Sequence, residues 1–179
     1  MARRPQFLVL ALDIGSSSTR SALFDEQAVP LARSHAQREY AIRYTPDGGA
    51  ELQPLRLLRA VRSCVAETLR HGTAPVRAVS GCSFWHSLLG LGSDGNPVTP
   101  VFTWADSRSS PDAAQLRREF SEREVQLRTG CMLRATFWPA KVRWLQRTQP
   151  ALCGRVSRWV SPADWIFREL FGVEGTSHS

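Results

Sequence analysis

The chain has 179 residues, of which 42% are hydrophobic and 22% charged, and these proportions suit a globular domain with a buried core. No apolar stretch approaches the roughly 20 residues of a membrane span, and the basic start Met1–Pro5 is not followed by the long apolar region of a secretory signal, so we expect one cytoplasmic domain with no membrane partner. The formal charge of +7 is scattered along the chain rather than clustered, which argues against a nucleic-acid partner and leaves two explanations, anionic ligands or a solvated basic surface.

The first half of the chain predicts strands around one helix. A three-stranded meander is predicted at Phe7–Asp13, Ser21–Phe24 and Leu31–Gln37. Apolar residues at spacings of three and four predict a helix from Pro54 to His71, with Leu55, Leu58, Val61, Val65 and Leu69 on its buried face. Further strands are predicted at Val76–Ser80, Leu88–Gly92 and Val98–Phe102.

The second half predicts helices from Pro111 onward. Ser121 and Glu124 have the spacing of a capping box, and that helix should end before Gly130. Pro139 is placed as the first residue of another helix, and Ser161 starts one that stops at Gly172. Strands followed by helices predict an α/β fold in which helices flank a mixed β-sheet.

Four cysteines are widely spaced, at Cys64, Cys82, Cys131 and Cys153. Because no Cys-x-x-Cys pair occurs, a structural zinc site is not predicted. We expect reduced thiols, most of them buried.

The segment from Leu8 to Arg20 is the most informative part of the sequence. An apolar run ending at Asp13 predicts a buried strand, and the residues that follow predict a tight turn: Gly15, Ser16, Ser17 and Ser18. Gly15 is free to adopt backbone angles that are closed to other residues. The hydroxyls and N–H groups of such a turn can hold phosphate oxygens, while Arg20 neutralises charge and Asp13 positions magnesium through water. An ordinary serine-rich hairpin is the alternative.

Two later segments carry side chains suited to binding a sugar. Trp85 offers an indole face for C–H groups and His86 a ring that hydrogen-bonds hydroxyls; the alternative is a core tryptophan beside a satisfied histidine. Trp104, Asp106 and Arg108 follow a predicted strand, where binding groups often lie. For that segment the alternative is a local Asp–Arg pair that caps the next helix.

Lys141 is the only lysine in the chain. A chain that otherwise uses arginine retains here a compact point charge, in the first turn of a helix, where the helix dipole favours an acid. A specific role and a place on the solvated surface both remain open. No Gly-x-x-x-x-Gly-Lys-[Ser/Thr] sequence surrounds this lysine, which excludes a P-loop enzyme.

The order of these segments resembles a known family. The pattern from Asp13 to Arg20 is similar to the first phosphate loop of the actin, hexokinase and sugar-kinase superfold, whose domains are RNase-H-like. The later segments narrow the resemblance to the N-terminal part of the FGGY carbohydrate kinases. In family order they are Trp85-His86-Ser87, Trp104-x-Asp106-x-Arg108, Thr129-Gly130, Pro139–Leu145 and Pro162–Gly172.

This resemblance implies ATP-dependent phosphorylation of a sugar, polyol or sugar acid, with catalysis by positioning and charge neutralisation. The residues implied to bind ATP and Mg²⁺ are Asp13, Gly15, Ser16, Ser17, Ser18 and Arg20, with Asp13 acting on the metal through water. Those implied on the sugar side are Trp85, His86, Trp104, Asp106 and Arg108. The family's proton acceptor is expected beyond Ser179, so residues 1–179 would be an incomplete N-terminal domain, inactive alone and without the C-terminal ATP-binding domain.

Within the family, Trp104-Ala105-Asp106-Ser107-Arg108-Ser109 is most similar to the gluconate kinases. Trp85 replaces the usual methionine, and Thr176–Ser179 departs from the usual Thr-Asp-Tyr-Ser. The alternatives are a xylulose- or glycerol-type kinase of the same family and a non-catalytic or degenerate fragment with the same fold. Arg108 could pair with a sugar-acid carboxylate, hold Asp106 or shape its loop. The expected partner is a small sugar or sugar acid, and homo-oligomerisation of the full-length protein is left open.

Overall fold

A computed structural model describes residues 4–176 of the chain; the predictions that fall on Met1–Arg3 and Ser177–Ser179 lie outside the described residues. The strands are β1 (Leu8–Ile14), β2 (Ser18–Asp25), β3 (Ala36–Glu39), β4 (Arg43–Tyr44), β5 (Ala50–Leu52), β6 (Val76–Ser83), β7 (Leu89–Leu91), β8 (Val101–Phe102) and β9 (Arg158–Val160). The helices are α1 (Pro54–Leu69), α2 (Ser110–Glu119), α3 (Glu122–Thr129), α4 (Trp138–Thr148), α5 (Pro150–Cys153) and α6 (Pro162–Phe171). These elements form two compact units: the first runs to Ala41 and resumes over Leu55–Phe84, and the second comprises Ile42–Pro54 and the chain from Trp85 onward.

The first unit contains a four-stranded mixed sheet in the order β3-β2-β1-β6. β1 pairs antiparallel with β2, from Leu8 opposite Asp25 to Ile14 opposite Thr19, and parallel with β6 on its other side. Alternate residues of β1 are buried, as period-two side-chain alternation requires: Leu8, Leu10, Leu12 and Ile14. The predicted meander and mixed sheet are confirmed, although the third strand begins five residues later than predicted, at Ala36.

Helix α1 forms where its periodicity predicts it, but its buried face is rotated. Leu57, Leu58 and Val61 are buried, whereas Leu55 and Leu69 at the two ends are exposed, so placing those two in the stripe was wrong. Cys64 is buried and its Sγ donates to the Ala36 carbonyl. The expectation of mostly buried thiols was also wrong, because Cys82 and Cys131 are exposed.

The second unit contains two small sheets, β4-β5-β8 and β7-β9. One apolar cluster joins Leu88, Phe102, Trp144 and Leu145, and another joins Ala113, Leu116, Leu133 and Ala140. Strands β4, β5 and β9 and the one-turn helix α5 were not predicted, because elements of two to four residues are too short to show a period.

Helix boundaries in the second unit follow their capping residues. The Ser161 side chain accepts from the Asp164 N–H while the Asp164 carboxylate accepts from the Ser161 N–H, a complete capping box. At α3 the Ser121 side chain accepts from the Glu124 N–H. The helices end at Gly130 and Gly172, as predicted, and the structure shows both glycines in the left-handed conformation. Within residues 4–176, no helix combines the length and apolar character needed to cross a bilayer.

Candidate functional site

The turn between β1 and β2 lies in the first unit and is the predicted hairpin. Ile14 and Thr19 are the last paired residues, and the turn is closed by a 2.9 Å hydrogen bond from the Gly15 N–H to the Ser18 carbonyl. Ser17 is exposed and Ser16 half-buried, but Ser18 is only 6% exposed. Two of the three serine hydroxyls are therefore accessible. The expectation that the hydroxyls of the turn are placed to hold phosphate was wrong for Ser18, whose side chain is buried in β2.

Gly15 is required by close approach and not by its backbone angles. It does not use the left-handed conformation that is open to glycine. A Cβ on this residue would lie 3.0 Å from the Ser18 carbonyl oxygen, closer than real Cβ contacts normally come. Glycine is the residue that lets the turn close this tightly.

Tyr40, the residue directly after β3, holds this turn by two hydrogen bonds, and the sequence analysis missed it. Its backbone N–H donates to the Ser17 carbonyl at 2.9 Å, and its hydroxyl donates to the Gly15 carbonyl. Burial, and next the negative charge of Asp13, raise the pKa of Tyr40, so its hydroxyl remains a donor. The contact depends on the pairing of β2 with β3, which no local sequence pattern encodes.

Asp13 and Arg20 stand on opposite strands at the mouth of the turn. The Arg20 Nη1 lies 3.7 Å from the Asp13 Oδ2, and both side chains are about half exposed. The exposed thiol of Cys82, on β6, lies 3.4 Å from the Asp13 Oδ1 and has its pKa raised by burial and by that carboxylate. The loop therefore presents one accessible acid, one accessible cation and two hydroxyls.

These residues fit a magnesium ion held through water. Among the described residues, no group of three or more His, Cys, Asp or Glu side chains converges as a metal cage. Mg²⁺ commonly keeps several waters and takes one or two carboxylates together with substrate phosphates. The single half-exposed carboxylate of Asp13 suits that arrangement.

Trp85 and His86 lie in the second unit, at the start of the segment after β6. Trp85 is 70% exposed, which rules out the core-tryptophan alternative. The His86 imidazole is half-buried and meets the Phe137 ring edge-on, with centroids 4.4 Å apart. Burial, and next the charge of Lys141, lower the pKa of His86. A neutral imidazole both donates and accepts, as hydrogen bonding to hydroxyls requires.

Asp106 and Arg108 pair with each other and with a third residue, Glu51. The Arg108 Nη2 lies 2.6 Å from the Asp106 Oδ2 and 2.7 Å from the Glu51 Oε1. The guanidinium carbon also lies 4.5 Å from the centre of the Trp144 ring. Because Arg108 is only 11% exposed and Asp106 also accepts from the Ala50 N–H at 3.2 Å, this geometry favours a structural role for the pair. Glu51 was missed because it is 57 residues away in sequence.

Lys141 occupies the first turn of α4 and is 1% exposed, so the solvated-surface alternative was wrong. Its Nζ donates to the Asp106 carbonyl at 3.0 Å. Burial lowers the pKa of Lys141 to about 8, with Asp106 opposing and Arg108 adding to that effect. The first turn of α4 also contacts the Trp85–Ser87 segment, since the Trp138 Nε1 donates to the Ser87 carbonyl at 3.1 Å.

The structure thus groups the predicted residues in two places. Asp13, Ser16, Ser17 and Arg20 surround one turn in the first unit. In the second unit, the accessible side chains of the predicted sugar-side set are Trp85, His86 and Trp104, the last being 50% exposed. Asp106 and Arg108 of the same set form an ion pair that is largely shielded from solvent.

The comparisons with known proteins decide the family. The sequence model of the FGGY family of carbohydrate kinases, N-terminal domain, matches residues 8–179. The chain belongs to this family. The gluconokinase of Bacillus subtilis is 29% identical over 165 residues, which cover 91% of this chain and 32% of that protein. The glycerol kinase of Acidovorax ebreus is 32% identical over 179 residues, with 95% and 35% covered.

Solved structures agree on the fold. The xylulose kinase of Rhodospirillum rubrum superimposes with a TM-score of 0.86 at 26% identity, covering 93% of this chain and 34% of that one. The gluconate kinase of Lactobacillus acidophilus gives 0.85 at 24% identity, with 92% and 33% covered. The predicted α/β fold of the actin, hexokinase and sugar-kinase type is therefore confirmed. This FGGY chain spans about a third of the length of these relatives.

Proposed function

We propose that this chain supplies the phosphate loop and part of the sugar-binding surface of an ATP-dependent kinase for a sugar or sugar acid. The observation that carries the proposal is the β1–β2 turn of an FGGY family member, which presents Asp13, Ser16, Ser17 and Arg20 to solvent. Phosphoryl transfer is catalysed mainly by positioning and by stabilising charge on the phosphate oxygens. This turn has the hydroxyls, N–H groups and cation for that task.

In this proposal Asp13 orients a magnesium ion through water, and the ion would neutralise charge on the ATP phosphates. Gly15 allows the close turn, Ser16 and Ser17 donate to phosphate oxygens, and Ser18 contributes through its backbone. Arg20 balances negative charge from the opposite strand. No residue of this chain is proposed as the acceptor of the substrate hydroxyl proton.

On the sugar side, the exposed faces of Trp85 and Trp104 would pack on the C–H groups of the substrate, and His86 would hydrogen-bond its hydroxyls. A sugar acid such as gluconate is favoured by the Trp104–Ser109 sequence and by the gluconokinase relatives. A neutral substrate of the xylulose or glycerol type is favoured by a different observation. The Nε and Nη2 donors of Arg108 already bind Asp106 and Glu51. These two carboxylates balance the positive charge with which a substrate carboxylate would have to pair.

The substrate class is tested by calorimetric titration of the chain with gluconate, xylulose and glycerol. We expect saturable binding of at least one, weakened at least tenfold by Trp104→Ala and unchanged by Phe120→Ala, which removes an equally exposed aromatic ring of the second unit. Tightest binding of gluconate supports the sugar acid, and tightest binding of xylulose or glycerol supports the neutral class. Binding of none of the three, or equal losses in both variants, contradicts the proposed sugar surface.

Turnover is tested with the same chain, ATP, magnesium and the three substrates. We expect no substrate-dependent ADP release above background, because neither a proton acceptor nor an adenosine site is assigned to residues 1–179. Measurable turnover would show that the catalytic machinery is complete in this chain.

A further inference from the structure

The backbone at His86 is strained and must be held in place by its surroundings. Its φ is +61°, in the left-handed region that few non-glycine residues adopt. Such strain persists where neighbouring contacts over-determine the conformation, and it is commonly found at ligand sites. The residues after it are fixed on one side by the Leu88–Phe102 pair, which exchanges two 2.9 Å backbone hydrogen bonds.

The first turn of α4 fixes the same segment from the other side. The Trp138 indole N–H donates to the Ser87 carbonyl at 3.1 Å, and the Phe137 ring lies edge-on to the His86 imidazole. Each contact holds a group within one residue of the strained position. Helix α4 therefore supports the His86 conformation directly.

The same turn also fixes the Trp104–Arg108 segment. The Lys141 ammonium donates to the Asp106 carbonyl, in the middle of that segment. In the first turn of the helix, the Lys141 N–H in turn donates to the Phe137 carbonyl. One helical turn thus holds both segments that carry the accessible sugar-side residues.

We propose that Lys141 is a positioning residue of the sugar-side site, which couples the Trp104–Arg108 segment to the His86 segment through the first turn of α4. This inference rests on the proposed function for what the site binds, but the coupling itself is a property of the chain without ligand.

The burial of Lys141 explains why the coupling is strong. The charged groups around it are Asp106 and Arg108, with His86 close enough to sense its charge. The Asp106 and Glu51 carboxylates are bonded to Arg108, and the ammonium donates to the Asp106 carbonyl. A buried cation is costly without its hydrogen bond. Displacing the Asp106 segment would break that hydrogen bond. The conformation of the segment and the position of the Lys141 side chain are therefore linked.

Three variants test this coupling by hydrogen exchange of backbone amides in the free chain. Lys141→Met keeps the length of the side chain and removes its charge and donor. Trp138→Phe removes only the indole donor to Ser87. Arg143→Met is the matched control, because Arg143 lies on the same helix but forms a surface pair with Glu119.

We expect Lys141→Met to speed exchange at least tenfold in Trp104–Arg108 and also in Trp85–Leu88, although Lys141 does not contact the second segment through a hydrogen bond. Trp138→Phe should speed amide exchange in Trp85–Leu88 and also shift the NMR signal of the lysine Nζ. Selective labelling isolates that signal because the chain has one lysine. Arg143→Met should do neither. Effects that remain confined to each variant's own segment, or that equal those of Arg143→Met, overturn the proposal.

Ligand binding then separates this inference from the proposed function. If a sugar or sugar acid binds the wild-type chain, Lys141→Met should weaken its affinity about tenfold, although residue 141 does not contact the ligand. Unchanged affinity would contradict the positioning role. If none binds, the proposed substrate surface fails while the exchange result still decides the coupling. Should Lys141→Met fail to fold, Trp138→Phe and the Nζ signal decide it alone.

Discussion

Arg108 and Lys141 are two buried cations in the second unit with different kinds of partner. Arg108 lies between two carboxylates and over the Trp144 ring, whereas Lys141 has a backbone carbonyl as its acceptor. An ion pair inside a protein contributes little net stability, but removing one member leaves a charge buried without compensation. The two residues therefore differ in what their replacement should do.

Replacing Arg108 by alanine should destabilise the fold rather than change substrate preference. The change leaves the buried Asp106 carboxylate without its ion-pair partner and leaves Glu51 paired only with the exposed Arg43, at a cost of about 3–5 kcal/mol in the free energy of unfolding. Urea denaturation measures it. Arg43→Ala is the control, because Arg43 also pairs with Glu51 but is 67% exposed and should matter little. Equal losses from both variants would contradict the buried role.

Replacing Lys141 by methionine should remove a pH dependence of stability. The pKa of Lys141 is about 8 in the folded chain against about 10.4 when unfolded. Between these values the unfolded chain binds more protons, so the wild type gains stability as pH rises, on the order of 3 kcal/mol at most.

Urea denaturation from pH 7 to 10 measures the unfolding free energy of the wild type and of Lys141→Met. The difference between the two isolates the pH-dependent contribution of Lys141. Other groups, such as Tyr40 with its raised pKa, titrate in both proteins. Wild-type stability should rise relative to the variant over that range. A difference that stays constant would show that the ammonium is not desolvated.

The β1–β2 hairpin depends on a turn closed by one backbone hydrogen bond and fastened by Tyr40. The turn has two accessible hydroxyls because β2 begins at Ser18 and takes the third serine into the sheet. Its shape is set by the approach of the Ser18 carbonyl to Gly15. The geometry of this turn therefore depends on the absence of a side chain at that one position.

Gly15→Ala should open this turn. The added Cβ would lie 3.0 Å from the Ser18 oxygen, so the Gly15–Ser18 hydrogen bond must lengthen, and exchange of that amide should speed about tenfold, the equivalent of about 1.4 kcal/mol. Gly154→Ala is the control, because Gly154, directly after α5, has right-handed helical backbone angles and its Cβ would meet nothing closer than 3.6 Å. Unchanged exchange at residue 15, or equal effects in the two variants, would show that the turn tolerates a side chain.

Elements long enough to show a periodic pattern of apolar residues were predictable from the sequence. Contacts between residues far apart in the chain were not. The alternation in β1 and the spacing in α1 place both correctly, because local burial sets those patterns. The pairing of Arg108 with Glu51 and of Tyr40 with Gly15 required strand pairings between residues far apart in the chain. Lys141 was noticed for its rarity, but its burial follows from the packing of α4 beside the Asp106 segment.

At the scale of the whole molecule, the chain matches the N-terminal domain of the FGGY kinases over residues 8–179 and spans about a third of its relatives' length. The turn proposed to bind phosphate lies in the first compact unit, and the residues proposed to bind the sugar lie in the second. Each unit can therefore be tested by its own ligand. The central claim is that the turn from Asp13 to Arg20 binds the phosphates of ATP.

The most direct test is titration of the ¹⁵N-labelled chain with magnesium and ATP, followed by amide chemical shifts. Our account predicts saturable shifts concentrated at Gly15, Ser16 and Ser17. They should be abolished or strongly weakened by Arg20→Ala and retained in Arg56→Ala, which removes an exposed arginine of α1 in the same unit. Shifts that are absent from the turn, or that persist unchanged in Arg20→Ala, would contradict it.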